Sequence, residues 1–152
     1  MENTVVIDSH EKLISTLGEK LAEANDELRP FVDLTSQTIK MHCDSAITGI
    51  DEFEELAGHE IVDIEPVSSR EAFYVMERFA LSRPQKEQDS LFYALSRRHP
   101  FRAFRSEMEY LGIMREWYDF KSSSYYELAK ERLNDHNISF VDGKIVRSTI
   151  SL

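Results

Sequence analysis

The sequence predicts an α+β fold, in which a small antiparallel β-sheet, made of a hairpin and extra strands, packs on a cluster of four to five helices. Three observations predict it. Several helix-start signals are each followed by apolar residues at helical spacing. Two short alternating runs within residues 31–42 are typical of a hairpin. Near the end of the chain, Asp142-Gly143 lies between two apolar runs, which is a strong hairpin signal.

The first half of the chain combines helix and strand patterns. Asp8-Ser9-His10-Glu11 has the form of a capping box, because the Asp8 carboxylate can accept from the third N–H while Glu11 reaches back. The predicted elements are a helix from about Ser9 to Asn25, strands over Phe31–Leu34 and Thr38–His42, a short acidic helix over Asp51–Leu56 and a strand over Ile61–Ile64.

The pattern changes to consecutive helices at Ser68. Ser68-Ser69-Arg70-Glu71 and Ser82-Arg83-Pro84-Gln85 both have the form of a capping box, and Pro100 has the position of a first helical residue. After Pro100, four apolar residues fall within about 80° of one another and predict a core stripe. They are Phe101, Phe104, Met108 and Leu111. A last helix is expected to end at Asn137.

We expect one domain over residues 1–152, because a chain of 152 residues is long enough to bury a single core. Its parts are an acidic helix-hairpin-strand half (1–67), a helical unit (68–137) and a terminal hairpin (138–148). The charge is divided unevenly. Residues 1–70 contain 5 Lys and Arg against 16 Asp and Glu, a net charge of −11, whereas residues 71–152 contain 13 against 12, a net charge of +1. An acidic half repels nucleic acid and favours solubility or basic partners.

Cysteine content and hydropathy indicate the compartment. The one cysteine, Cys43, excludes an intrachain disulfide framework and fits a reducing environment. The first eight residues lack the basic and apolar regions of a signal peptide, and no apolar run approaches the roughly 20 residues of a membrane span. We therefore expect a cytoplasmic protein that does not bind membranes.

The side chains best suited to binding a ligand are concentrated in a basic segment over residues 97–105. It contains Arg97, Arg98, His99, Arg102 and Arg105. Arginine offers a planar fork of donors suited to phosphate or carboxylate, and the segment opens a helix, whose N-terminus favours anions. The segment is thus a candidate anion-binding site.

Structural explanations of the same arginines stay open. Arg105 and Glu109 are i,i+4 neighbours, and Arg102 lies on the same face, so these charges can pair within the helix. Arg97 and Arg98 follow a helix and can complement its C-terminal end, or the segment can dock on the acidic half of the same molecule.

Other chemistry has little support in the sequence. His42-Cys43-Asp44 places three metal-ligand types in a row, but neighbours on a strand point to opposite faces and cannot share one ion. There is no Gly-rich phosphate loop, no nucleophile elbow and no dinucleotide fingerprint. We expect no catalytic residues, no metal and no cofactor.

Several runs together resemble the bacterial proteins collected as uncharacterised protein family (UPF) 0158. Phe31-Val32-Asp33-Leu34 is similar to the start of that family's hairpin, and Met76-Glu77-Arg78-Phe79 to its Met-x-x-Phe element. Pro100 to Ser106 is similar to its most distinctive run, and Trp117-Tyr118-Asp119-Phe120 to its Trp-Tyr-x-Phe element. Ser36-Gln37 stands where the family has a Thr-Gly turn. The resemblance implies a fold but no activity, because the family is uncharacterised.

The expected function follows from the charge division and the lack of catalytic motifs. We expect a cytoplasmic binding or regulatory module that acts through protein–protein interaction. The alternative is a protein that binds nucleic acid or phosphate through the Arg97–Arg105 segment. A third possibility, a hydrolase, requires a pocket in which carboxylates and a histidine converge.

Overall fold

In the structure, a computed structural model that describes residues 5–43 and 56–148, short strands alternate with a run of helices. In chain order these are α1 (His10–Glu23), β1 (Leu28–Asp33), β2 (Thr38–Cys43), β3 (Ile61–Asp63), α2 (Ser69–Leu81), α3 (Gln85–Leu95), α4 (Pro100–Leu111), α5 (Met114–Asp135), β4 (Ile138–Val141) and β5 (Lys144–Arg147). The predicted α+β class is confirmed. Residues 51–55 of the predicted acidic helix lie outside the described residues.

The chain divides into two compact units. The first combines Met1–Val67 with Tyr125–Leu152, and the second is Ser68–Ser124. The second unit therefore begins at the residue where the sequence pattern changes, and α5 contributes to both units.

Helix α1 packs in the first unit through one apolar face. Its cap differs from the prediction, because Ser9 rather than Asp8 is the N-cap and the Ser9 Oγ accepts from the backbone N–H of Lys12 at 3.0 Å. The backbone of the helix closely approaches α5 at Gly18, where a Cβ atom would lie 3.3 Å from the carbonyl oxygen of Tyr125. This close approach leaves no room for a side chain larger than a methyl group.

The three-stranded sheet confirms the predicted hairpin. Its strand order is β2-β1-β3, all antiparallel, with Phe31 opposite Lys40 and Val32 opposite Val62. The central strand β1 is the most deeply buried of the three.

The turn between β1 and β2 depends on Gln37. This residue has a φ of +62°, a left-handed conformation that Gly adopts without strain. Its side-chain amide forms two hydrogen bonds with the backbone of Ile145 in β5, donating to the carbonyl at 2.9 Å and accepting from the N–H at 2.6 Å. Gln37 thereby joins the first hairpin to the terminal one, whose turn residues Asp142 and Gly143 have φ values of +51° and +78°.

One of the two capping boxes predicted in the second unit is confirmed. The Ser68 Oγ accepts from the N–H of Glu71 at 3.1 Å, and the Glu71 carboxylate accepts from the N–H of Ser68 at 3.0 Å. The box predicted at Ser82 is wrong. Ser82 closes α2, with its hydroxyl donating to the Phe79 carbonyl at 2.6 Å, and Pro84 is the N-cap of α3.

Aromatic rings fill the core of the second unit. Phe79 lies 5.3 Å from Trp117 and 6.3 Å from Phe104, measured between ring centroids. The predicted stripe of α4 is wrong at its first residue, because Phe101 is 40% exposed whereas Phe104 is fully buried. Phe101 lies at the edge of the stripe in the first turn of the helix, where Phe73 contacts one side of its ring at 6.5 Å.

Candidate anion-binding groove

Helices α3 and α4 form a helical hairpin with a connection of four residues, 96–99. The N–H of Arg97 donates to the Ala94 carbonyl at 3.2 Å as α3 ends, and Pro100 begins α4. Leu91 and Leu95 of α3 are buried, as are Phe104 and Met108 of α4. The opposite faces of both helices are therefore left on the outside.

A groove of about 550 Å³ runs along these outer faces. We call it the Arg–Tyr groove, and the side chains that define it are Tyr93, Arg97, Arg98, His99, Arg102 and Tyr110. Glu107 is the acidic residue of its lining. Three arginines against one glutamate give the groove a positive charge, although the whole chain has a net charge of −10.

Two of the arginines keep their donors available. Arg98 and Arg102 are exposed, and neither forms a hydrogen bond or an ion pair within residues 5–43 and 56–148. Arg97 is also exposed and lies over the ring of Tyr93, with its guanidinium carbon 6.0 Å from the ring centroid. Exposed guanidinium groups can present bidentate donors to a carboxylate or phosphate that enters the groove.

Arg105 has a different environment from the other three predicted site residues. Its Nε lies 3.2 Å from the Glu109 Oε1, which is the i,i+4 pairing that the sequence allows. Burial lowers the pKa of Lys121, and the nearby positive charge of Arg105 lowers it further. Arg105 therefore belongs to a surface with Glu109 and Lys121, outside the lining of the groove.

The two tyrosines of the groove are residues that the sequence analysis did not single out. Tyr93 is 67% exposed and Tyr110 is 84% exposed. A spacing signal is present in the sequence. Arg102 and Tyr110 are two turns of α4 apart on one face, and Arg97 follows Tyr93 by four residues, just past the end of α3. Aromatic residues at helical spacing are more often buried in a core, so the sequence alone does not show that these two tyrosines are exposed.

A second polar cluster lies in the first unit around Asp33. This carboxylate is fully buried, with its Oδ2 2.7 Å from the His59 Nδ1 and 3.3 Å from the Lys40 Nζ. Its Oδ1 accepts from the backbone N–H groups of Thr35 and Ser36, both at 3.0 Å. The cluster fixes the turn of the first hairpin, and its acceptors are already used.

A larger cavity of about 630 Å³ lies in the same unit. Its lining includes Asp26, Glu27 and Asp63 together with Arg29 and His42, and the His42 Nε2 is 2.8 Å from the Asp63 Oδ1. Three carboxylates against one arginine make this lining acidic, but Asp63 already pairs with His42, and among the described residues no three such side chains are grouped to hold a metal ion. In the Arg–Tyr groove, by contrast, Arg98 and Arg102 have no partner among the described residues. The groove is therefore the better candidate site.

Two kinds of feature are missing from the part of the chain that the structure describes. No three His, Cys, Asp or Glu side chains are grouped so that they can hold a metal ion. No helix there combines the length and the apolar character needed to cross a membrane.

Fold and groove together define a small α+β protein with a basic, aromatic surface between two helices. The chain belongs to the uncharacterised protein family UPF0158, whose family model matches residues 3–148. The resemblance stated from the sequence is thus confirmed over nearly the whole chain. No curated protein and no solved structure matches it.

Proposed function

We propose that this protein is a binding module whose Arg–Tyr groove takes an acidic segment of a partner protein. The observation that carries the proposal is the exposure of Arg98 and Arg102, which have no ion pair among the described residues, beside the exposed Tyr93 and Tyr110. Tyr and Arg are the residue types that supply most of the binding energy in protein interfaces.

The charge of the groove sets the chemistry of the partner. A carboxylate can accept two parallel hydrogen bonds from one guanidinium, and an acidic segment can present two carboxylates to Arg98 and Arg102 at once. Tyr110 and Tyr93 provide flat, partly apolar surfaces for the rest of the segment. Exposed ion pairs are individually weak, so we expect an affinity in the micromolar range, with each arginine contributing roughly threefold.

Nucleic acid is the second candidate partner, because exposed tyrosines can stack on bases and arginines can contact phosphates. Long-range electrostatics favour the protein partner. The chain has a net charge of −10, and DNA has one negative charge per ~1.7 Å of duplex, so repulsion by the acidic half is greater for nucleic acid than for a short acidic peptide.

We further propose that the module is not an enzyme and acts in the cytoplasm. His99 is the groove's histidine, and within the described residues it has no hydrogen bond to a carboxylate that would orient it as a general base. The single Cys43 supports a reducing compartment.

The test is fluorescence anisotropy with a short fluorescein-labelled Glu-rich peptide, its Gln-substituted analogue and a single-stranded oligonucleotide. The protein with Arg98→Ala and Arg102→Ala is compared with a control that has Lys86→Ala and Arg115→Ala. The control loses the same charge from exposed positions of the second unit outside the groove.

We expect the Glu-rich peptide to bind, the groove variant to lose about tenfold in affinity and the control to stay within about twofold of the wild type. Equal affinities for the two variants would overturn the proposal. Tighter binding of the oligonucleotide than of the peptide, with a steep dependence on salt, would support the second candidate instead.

A further inference from the structure

An apolar hollow lies against α2 at Phe73, whose ring contacts Phe101 of α4. Phe73 and Tyr74 line it together with Arg70, Glu71 and Glu77, and its volume is about 590 Å³. The rings of Phe73 and Phe101 are 6.5 Å apart, and Tyr74 is 60% exposed. Isolated exposed apolar residues are common on protein surfaces, but here two aromatic residues share one lining and a third ring, that of Phe101, contacts Phe73.

The first turn of α4 connects the hollow with the Arg–Tyr groove. Phe101 contacts Phe73 in the lining of the hollow, Arg102 lines the groove, and the two are successive residues of one helix. Successive helical side chains point about 100° apart, so Phe101 and Arg102 lie on adjacent sides of the same turn. An extended peptide can pass from one to the other within about three residues.

We infer that the groove's partner is an amphipathic segment, in which one apolar anchor residue precedes or follows the acidic residues by about three positions. This inference rests on the proposed function and names the partner more closely. The anchor side chain packs on Phe101 and Tyr74 while the carboxylates bind Arg98 and Arg102.

The charges and aromatic rings of the two surfaces are complementary to an amphipathic acidic segment. The exposed arginines of the groove select acidic residues. Glu71 and Glu77 in the lining of the hollow disfavour a carboxylate there, and its aromatic residues select a Leu- or Phe-sized side chain in the same segment. A purely acidic segment would leave the three aromatic rings uncovered, and a purely apolar one would leave Arg98 and Arg102 without partners.

Three fluorescein-labelled peptides test the inference in the full chain: an acidic peptide with one Leu anchor, the same peptide with Ser in place of Leu, and the Leu peptide with Gln in place of every Glu. Phe101→Ser and Tyr74→Ser are measured separately, since Tyr74 is more exposed and its replacement disturbs packing less. Tyr118→Ser, at an exposed position of α5 outside the hollow, is the control. Circular dichroism confirms that each variant is folded.

We expect Phe101→Ser and Tyr74→Ser each to weaken binding of the Leu peptide about fivefold to tenfold, and to leave binding of the Ser peptide within about twofold. Equal binding of the Leu and Ser peptides by the wild type would overturn the inference, yet the proposed function would stand if the Arg98 and Arg102 variant still loses affinity. If neither acidic peptide binds the wild type, both fail. Self-association that Phe101→Ser abolishes would also overturn the inference, because a second copy would then cover the hollow.

Discussion

Replacing Asp33 by Asn removes the charge from a fully buried carboxylate with several hydrogen bonds. In the wild type, Oδ1 accepts from two backbone N–H groups of the turn, and Oδ2 contacts the His59 Nδ1 at 2.7 Å and the Lys40 Nζ at 3.3 Å. An Asn can keep the Oδ1 bonds to Thr35 and Ser36, but its NH2 group then replaces Oδ2, and this group is a donor that can accept from neither His59 nor Lys40. Asp33→Ala removes all of these bonds.

The size of the effect follows from the bonds lost. A buried donor or acceptor left without its partner costs about 1–3 kcal/mol, and more when a charge is involved. We expect Asp33→Asn to lower the free energy of unfolding by about 2 kcal/mol at pH 7, and Asp33→Ala by about 4 kcal/mol. Asp63→Asn is the matched control, because the Asp63 side chain is exposed and its contact with His42 is worth less than about 1 kcal/mol.

The difference between wild type and Asp33→Asn depends on pH in a defined direction. Burial alone would raise the pKa of Asp33, but the hydrogen bonds from His59, the backbone of Ser36 and Lys40 outweigh it and hold that pKa well below its usual range. A carboxyl whose pKa is lower in the folded state stabilises fully above its unfolded pKa of about 3.9 and loses this stabilisation as the pH falls. Below about pH 4, the difference in the free energy of unfolding between the wild type and the Asn variant therefore decreases by up to about 1.4 kcal/mol per pH unit.

Amide hydrogen exchange in β1 and β2 is the suitable assay at pH 7, because it reports directly on the first unit. Trp117 lies in the second unit, so its fluorescence does not report on the surroundings of Asp33. Urea unfolding followed by circular dichroism extends the comparison from pH 7 to pH 3. Equal stability of Asp33→Asn and the wild type at pH 7, or a difference between them that stays constant down to pH 3, would show that the Asp33 charge does not stabilise the fold.

Three further changes test the packing of the fold by urea unfolding. Gly18→Ala is expected to be nearly neutral, since about 1 kcal/mol of helix propensity offsets a tight contact, whereas Gly18→Leu overpacks against the α5 backbone and costs about 3 kcal/mol; equal stability of the two variants would contradict this. Gln37→Gly and Gln37→Ala both lose the two bonds to Ile145, but only Gly adopts the left-handed conformation without strain. Gln37→Gly is therefore expected to be more stable than Gln37→Ala by about 1 kcal/mol, and the reverse order would show that the strain is absent. Trp117→Ala is expected to cost about 4 kcal/mol, against less than about 0.5 kcal/mol for Tyr118→Ala, and a small loss at Trp117 would contradict the aromatic core.

Capping signals in the sequence predict a helix start well where the residue that caps the helix does not also end the preceding helix. The capping box at Ser68 forms because the preceding strand has ended and the Ser is free to cap. The same pattern at Ser82 fails because α2 runs to Leu81, so Ser82 closes one helix and only Pro84 precedes the next. Short connections between helices make start and stop signals compete for the same residues.

Contacts between distant residues are what the sequence could not predict. His59 bonds to Asp33 and Gln37 bonds to Ile145, pairs separated by 26 and 108 positions, and no periodic pattern records either. The exposure of Phe101 was also missed, because helical spacing places it near the core stripe but does not show how far the neighbouring helices extend over the first turn. The sequence indicates only part of the candidate site: its three arginines stand out within one basic segment, whereas the exposure of Tyr93 and Tyr110 has no such signal.

Chemical-shift mapping tests the central claim most directly. ¹⁵N-labelled protein is titrated with the unlabelled Glu-rich peptide, and the backbone amides of every assigned residue are followed at two salt concentrations. We predict saturable shifts confined to α3, α4 and their connection, largest around Arg98 and Arg102, weaker at high salt and lost in the variant with both arginines changed to Ala. Shifts centred in the first unit, or no shifts at all, would contradict the account.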